Sequence, residues 1–218
     1  MLNWNKINTV FLDMDGTLLD LNFDNHFWLE FVPQRYAELN QITLADANAK
    51  LVPLFKSMEG KLEWYCLDYW SEQLNLDIAG LKAEIAGLIK VLPHVSEFLT
   101  ALQLVDKQVF LVTNAHTDSL SLKMEQTCLQ PFFDEIICAH DLGFAKEQQP
   151  FWQALQKQCD WDKQSTVMID DSLAVLRAAQ RFGISELISI NKPDSQKASK
   201  SIREFAAITD FRELMPID

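Results

Sequence analysis

The chain has 218 residues, roughly half of them apolar, enough for one well-buried core or a core with a small second domain. Its 31 acidic residues outnumber 19 basic ones, a formal net charge of −12, which argues against nucleic-acid binding because phosphate neutralisation needs clustered Lys and Arg. No basic amphipathic stretch suggests a membrane surface, no apolar run reaches bilayer length, and the first ten residues, "MLNWNKINTV", lack a signal-peptide pattern, so a cytoplasmic location and no membrane partner are expected. Cys66, Cys128, Cys138 and Cys159 form no CxxC pair and are expected as reduced thiols; His26, His94, His116 and His140 show no metal-ligand spacing.

In chain order, the first predicted strand is "TVFLD" (9–13), which runs straight into "MDGT". Two carboxylates, Asp13 and Asp15, thus close an apolar run, where a charge is costly unless something compensates it. Residues 21–90 then show only helical periodicity, in "NHFWLEFVPQRYAEL", "LADANAKLVPLFKSM" and "LEWYCLDYWSEQL". "HVSEFLTALQL" (94–104) supplies the crossover helix to the second strand, "QVFLVT" (108–113). A crossover needs only about a dozen residues, and about 95 separate these strands, so 21–90 is read as an inserted helical domain and 1–20 with 91–218 as the core.

Three more apolar runs, "EIICA" (135–139), "TVMID" (166–170) and "ELISI" (186–190), alternate with the helical segments "TDSLSLKMEQTCL", "PFWQALQKQC" and "SLAVLRAAQRFG". Gly183 stands where a helix C-terminus is expected, and the polar "NKPDSQKASK" (191–200) reads as a loop or frayed helix start. Continuously apolar strands alternating with helices predict an α/β fold, a doubly wound parallel-sheet Rossmann-like core, with the small helical domain inserted.

Ligands of such sheets bind at the carboxyl ends of the strands. There the sequence places Asp13 and Asp15, then Thr113 and Asn114, then Asp170 and Asp171, with Lys146 following the third strand. Several acids on one edge repel each other without a cation, so a hard, oxygen-liking ion such as Mg²⁺ is expected.

"DMDGT", a Thr closing the second strand, a later Lys and "DD" after the fourth strand resemble the four motifs of the haloacid dehalogenase-like (HAD) hydrolase superfamily, over essentially the whole chain. The insertion sits where that family's type-1 helical cap sits. The resemblance implies that Asp13 is a phosphoryl-accepting nucleophile and Asp15 the acid and base. It gives Thr113, the backbone near Asn114, and Lys146 the phosphate. It also implies a metal held by Asp13, the Asp15 carbonyl and a motif-four acid, with Asp171 preferred to Asp170 because it precedes Ser172. Two departures stand out: "AKEQQP" lacks a Pro directly after the Lys, and "DDSLAV" lacks a further acid four residues on.

Asp15 favours phosphoryl chemistry over carbon–halogen cleavage, whose family members lack an Asp there. A phosphonate-cleaving reaction would need a reactive cap lysine, for which Lys50, Lys56 and Lys61 are available, and a phosphomutase would keep Asp15 too. A non-catalytic phospho-receiver domain shares the residue types but not the DxDGT order or the insertion. "LDMDGTLLDLNFDNHFW", "LEWYCLDYWSEQLNLDI", "LVTNAH", "TVMIDDS" and "NKPDS" further resemble the bacterial GMP/IMP 5′-nucleotidases, which implies a small phosphorylated substrate, a purine nucleotide. Sugar phosphates and phosphoglycolate remain alternatives. The insertion's aromatics, including Tyr36, Tyr65, Tyr69, Trp28, Trp64 and Trp70, could stack a base or simply pack; Asn22, Asp24 and His26 follow the strand exit closely enough to meet a substrate or to cap a helix. The sequence says nothing of oligomeric state.

Overall fold

Strand β1 (Thr9–Leu12) is buried along its whole length, and its neighbours in the sheet explain why. It pairs in parallel with β2 (Gln108–Thr113) on one side and β4 (Thr166–Asp170) on the other. β3 (Glu135–Cys138) extends the sheet beyond β2, and β5 (Glu186–Ile190) and β6 (Ala206–Ile208) extend it beyond β4, giving the order β3-β2-β1-β4-β5-β6 with every pairing parallel. The computed structural model describes residues 2–217.

Side chains alternate across the central strands, so each face carries its own core. Val10, Leu12, Val109, Leu111, Val167 and Ile169 pack with Val95, Phe98, Leu99 and Leu102 of the helix Val95–Leu104, an i, i+3, i+4, i+7 stripe. Phe11, Phe110, Val112 and Met168 point the other way, onto Phe151, Trp152 and Leu155 of the helix Gln149–Gln158 and Val175, Leu176 and Ala179 of the helix Leu173–Phe182. Both faces are covered, as the continuous apolar runs predict. Gly183 ends the last of these helices at φ +103°, a conformation that side-chain-bearing residues rarely adopt.

All five predicted strands are present, together with a sixth, β6, that periodicity does not reveal. Its three residues, "AAI", include one exposed and one half-buried alanine on the sheet edge, too short and too small an apolar signal to read. The stretch 191–200 forms no helix.

Between β1 and the helix Val95–Leu104, residues 22–88 are mostly helical, as the periodicity predicts. Asn22–His26 continues through a π-helical turn, Phe27–Phe31, into Val32–Asn40, and Leu44–Met58, Leu62–Tyr65, Leu67–Leu74 and Ile78–Glu84 follow. The π turn precedes Pro33, whose missing N–H and bulky ring disturb the regular ladder. "LEWYCLDYWSEQL" is two helices rather than one: the backbone extends at Cys66, whose Sγ then accepts the Tyr69 N–H as a cap.

Phe27, Val32, Leu51, Phe55, Trp70 and Ile78 form a cluster apart from the two sheet cores. The insertion leaves and rejoins the sheet side by side, where the Asp20 N–H donates to Lys90 O (2.9 Å) and the Leu92 N–H to Leu18 O (2.9 Å). It therefore stands over the carboxyl end of β1.

Candidate active site

The chain order reverses between β1 and β4, where a crevice opens at the carboxyl edge of the sheet. Asp13 lies on this edge, its N–H donating to Ile169 O (3.0 Å), so that its side chain sits beside the acids that follow β4. The chain turns sharply here: Met14 O accepts from the N–H groups of Leu18 and Leu19. Gly16 adopts φ +86°, and a Cβ there would lie 2.8 Å from Asp171 Cγ. Both the backbone angle and this close approach require glycine.

At the end of β2, the Ala115 N–H donates to Thr113 Oγ1 (3.0 Å), which leaves the hydroxyl hydrogen to the cavity. Asn114 spends its side chain on structure: Oδ1 accepts the Lys146 N–H (2.9 Å) and Nδ2 donates to Glu147 Oε2 (3.0 Å). These bonds fold the segment carrying Lys146 back over the sheet. Lys146 Nζ then donates to Asp13 Oδ1 (2.6 Å), Asp170 Oδ2 (2.8 Å) and Val112 O (2.8 Å). Burial alone would lower its pKa, but the two carboxylates overcome that and raise it, so Lys146 stays charged.

Carboxylate oxygens of Asp13, Asp170 and Asp171 lie within 4.8 Å of one another. Burial pushes the Asp171 carboxyl up to about 7, with the charge of Asp13 adding to it, and burial raises Asp170 well above the usual range. Asp13 Oδ2 is buried with no hydrogen-bond partner among the described residues. An orphaned oxygen within an all-oxygen cluster of three carboxylates, which the single charge of Lys146 only partly compensates, fits a hard divalent cation such as Mg²⁺. The two motif-four acids differ. Both oxygens of Asp170 are occupied, one by Lys146 and one by the Ser172 N–H (2.8 Å), whereas the nearest cation to Asp171 is Lys200 at 3.9 Å.

All seven predicted residues (Asp13, Asp15, Thr113, Asn114, Lys146, Asp170 and Asp171) line a single cavity of about 470 Å³ between this edge and the inserted helices. The insertion contributes Trp28, Leu29, Val52, Phe55 and Trp64 as an apolar wall, with Lys56 and Glu59. Trp28 and Trp64, half-buried with ring centroids 5.7 Å apart, face this space, while Trp70 is buried behind them. Of the three residues singled out after the strand exit, Asp24 reaches the cavity; Asn22 and His26 do not line it, and His26 instead pairs with Glu30 (3.0 Å).

Sequence reasoning missed two lysines. Lys123 Nζ donates to Asp15 Oδ1 (2.7 Å) and Asp24 Oδ2 (2.7 Å), and Lys82 Nζ donates to Asp24 Oδ1 (2.6 Å). Each sits on the buried stripe of its helix, Lys123 among Ser119, Leu120 and Met124, and Lys82 with Ile78 and Leu81. A lysine at an apolar-stripe position was the available signal. Burial raises Asp15 to about 6 against the pull of Lys123. Asp24 is equally buried, but its two lysines outweigh burial and hold it well below the usual carboxylate range.

The sequence profile of the haloacid dehalogenase-like hydrolases matches residues 7–183. The chain belongs to that family. As a HAD-like hydrolase it is an enzyme. It is 39% identical over 213 residues to the GMP/IMP nucleotidase YrfG of Escherichia coli K12, covering 98% of this chain and 96% of the relative, and equally similar to the protein of the same name from Shigella flexneri. Among solved structures it resembles a HAD phosphatase from Thermococcus onnurineus (TM-score 0.78, 20% identity, 95% of each chain). It also resembles an L-2-haloacid dehalogenase from Xanthobacter autotrophicus (TM-score 0.59, 11% identity, 95% of this chain and 96% of the other). At such identities the shared feature is the fold: the HAD architecture hosts different chemistries, and the site must discriminate between them. Among the described residues, no helix is long and apolar enough to cross a membrane.

Proposed function

We propose that this HAD-like hydrolase is a Mg²⁺-dependent phosphatase that cleaves purine 5′-monophosphates, GMP and IMP, to nucleoside and phosphate through an aspartyl-phosphate on Asp13. The observation that carries the substrate class is the reach of the 39% identity to the GMP/IMP nucleotidase, which covers 98% of the chain and so includes the inserted helices as well as the catalytic edge. In this reading residues 1–20 and 91–218 are the catalytic core and 21–90 a cap that chooses the leaving group.

A carboxylate oxygen of Asp13 attacks phosphorus in line as the ester P–O bond breaks. Asp15 gives its proton to the departing alkoxide, and a carboxyl raised to about 6 is protonated often enough near neutrality to do so. Asp15 then takes a proton from water, which attacks the aspartyl-phosphate; Asp13 returns as a carboxylate and phosphate leaves. Lys146, the Thr113 hydroxyl and the backbone at Asn114 hold the phosphoryl oxygens; the Asn114 side chain serves the loop instead. Asp13, the Asp15 carbonyl and Asp171 would hold Mg²⁺, with Asp170 behind them fastened to Lys146. When bound, the ion supplies countercharge to the phosphoryl group.

The cavity, about 470 Å³, is in the range of small-molecule sites. Trp28 and Trp64 in the cavity wall are aromatic surface against which a base would pack, and Lys56 and Glu59 supply a donor and an acceptor. A 6-oxopurine presents the matching pair, an O6 acceptor beside an N1–H donor, and a 6-aminopurine presents the reverse. Phosphate release with Mg²⁺ across GMP, IMP, AMP, CMP, UMP, sugar phosphates and phosphoglycolate tests this. GMP and IMP should exceed AMP by ~10-fold or more in kcat/KM, since mispaired polar groups are costly to bury. Turnover spread over sugar phosphates would keep the catalytic core and remove the nucleotide assignment.

Chelation should abolish activity and Mg²⁺ restore it. It should also leave a signature in stability. In metal-free protein Asp171 keeps its proton up to about pH 7, while the unfolded chain releases it near the ordinary carboxylate value of about 4. The folded state therefore binds more protons in that window, and its stability falls as pH rises through it. Mg²⁺ should raise Tm more at pH 8 than at pH 5, because binding at the lower pH must first displace that proton. Equal increments in thermal-shift measurements would remove Asp171 from the metal site.

A further inference from the structure

Four side chains, two buried lysines and two half-buried aspartates, run from the insertion to the acid–base residue: Lys82, Asp24, Lys123 and Asp15, joined by contacts of 2.6, 2.7 and 2.7 Å. The lysine side chains are 3% and 1% exposed. The reaction sequence above transfers no proton to or from either lysine, and the catalytic phosphate has its own cation in Lys146. Two buried ammonium groups paired with two half-buried carboxylates contribute little stability over an apolar packing of the same volume. Their geometry, by contrast, is specific. Lys123 reaches across from the helix Thr117–Thr127 of the sheet unit, and Asp24 comes from the first helix of the insertion. Lys82 comes from the last long helix of the insertion, its ammonium 4.8 Å from the Phe23 ring centre and 4.7 Å from that of Phe27.

We propose that Lys123 is a positioning residue for the leaving-group acid: it holds Asp15 by one carboxylate oxygen so that the other faces the departing ester oxygen, and Asp24, braced by Lys82, keeps Lys123 in line. This rests on the phosphatase reading, with Asp15 as the acid. The chain of charges makes the orientation of the acid depend on where the insertion's first and last helices sit, since Asp24 and Lys82 both belong to the insertion while Asp15 and Lys123 do not. Displacement of a reacting group by about 1 Å costs on the order of a hundredfold in rate. A displaced acid costs most where the leaving group needs a proton and little where it does not. Lys123 should therefore act on the leaving group and leave phosphate recognition alone.

The test compares the parent enzyme, Lys123→Met, Asp24→Asn and Asp15→Asn on two esters: the best alkyl phosphate of the substrate panel, and p-nitrophenyl phosphate, whose leaving group departs unprotonated. Asp15→Asn sets the full size of the split between them. Lys123→Met should lose ~100-fold in kcat on the alkyl ester and less than ~10-fold on the aryl ester, with KM for both little changed. Asp24→Asn, which keeps the shape of the side chain and leaves Lys123 its bond to Asp15, should show the same split at smaller size and covers the case in which Lys123→Met fails to fold. Equal losses on the two esters in both variants, with a normal split in Asp15→Asn, would overturn the positioning role alone. Silence of the parent enzyme on both esters would withdraw the phosphatase reading and this inference with it.

Discussion

Asp13→Asn is expected to reduce phosphate release at least a thousandfold while leaving the fold intact. The amide keeps an oxygen for Lys146 Nζ, now 2.6 Å from Asp13 Oδ1, and nearly the same volume, so the ammonium retains Asp170, Val112 O and a neutral acceptor. What disappears is the charge that attacks phosphorus. If Asp13 served only as a metal ligand, a weakened site could be rescued by high Mg²⁺; a missing nucleophile could not. Single-turnover measurements at saturating Mg²⁺, with circular dichroism to confirm folding, separate the two. Residual turnover above about a thousandth of the parent rate would contradict the covalent route, because loss of a nucleophile normally costs at least that much.

Lys146→Met should be the most destabilising change at the site. It removes the only side-chain cation within hydrogen-bonding distance of Asp13 and Asp170 among the described residues, at close to constant volume. Breaking a buried ion pair from one side typically costs about 3–5 kcal/mol, because the remaining charge has no partner. Activity should vanish with it, since the same ammonium is assigned to the phosphoryl oxygens. The pH dependence identifies the cause. Burial already raises Asp170 well above the ordinary range, and without Lys146 its proton is held more tightly still. A carboxyl raised in the folded state adds stability as pH falls, so the Tm deficit of Lys146→Met should be smaller at pH 5 than at pH 8. A deficit unchanged across that range would mean that lost packing of the side chain, rather than unpaired charge, is responsible.

Much of the site was legible because its chemistry is written at strand ends. An apolar run finishing in "DMDGT" or "MIDD" marks a charge cluster at the carboxyl edge of a parallel sheet, and the order of the runs says which edges meet. Gly16 shows how local and tertiary demands coincide. Its positive φ belongs to the turn, but the 2.8 Å approach to Asp171 involves a residue 155 positions away, which no local pattern discloses. Lys123 and Lys82 went unread for a related reason: a lysine on an apolar stripe looks like an exposed charge at the margin of a helix until its partners are known. The resemblance assigns the backbone near Asn114 to the phosphate but says nothing of the side chain, which organises the Lys146 loop through Glu147 and the Lys146 N–H rather than through its neighbours in sequence.

By itself, then, the sequence determined the five central strands with their alternating helices, the helical character of 21–90 and the residue types at the carboxyl edge of the sheet, since each follows from periodicity or from what ends a buried strand. Only the tertiary structure decided which of Asp170 and Asp171 has free oxygens, that Trp28 and Trp64 face the cavity while Trp70 packs behind them, and that Asp15 is tied through Lys123 and Asp24 to the insertion. Those outcomes rest on contacts between different elements, from 24 positions apart for Lys146 and Asp170 to 108 for Lys123 and Asp15, and a hydrogen bond is set by distance and direction in space, which a periodic pattern does not encode.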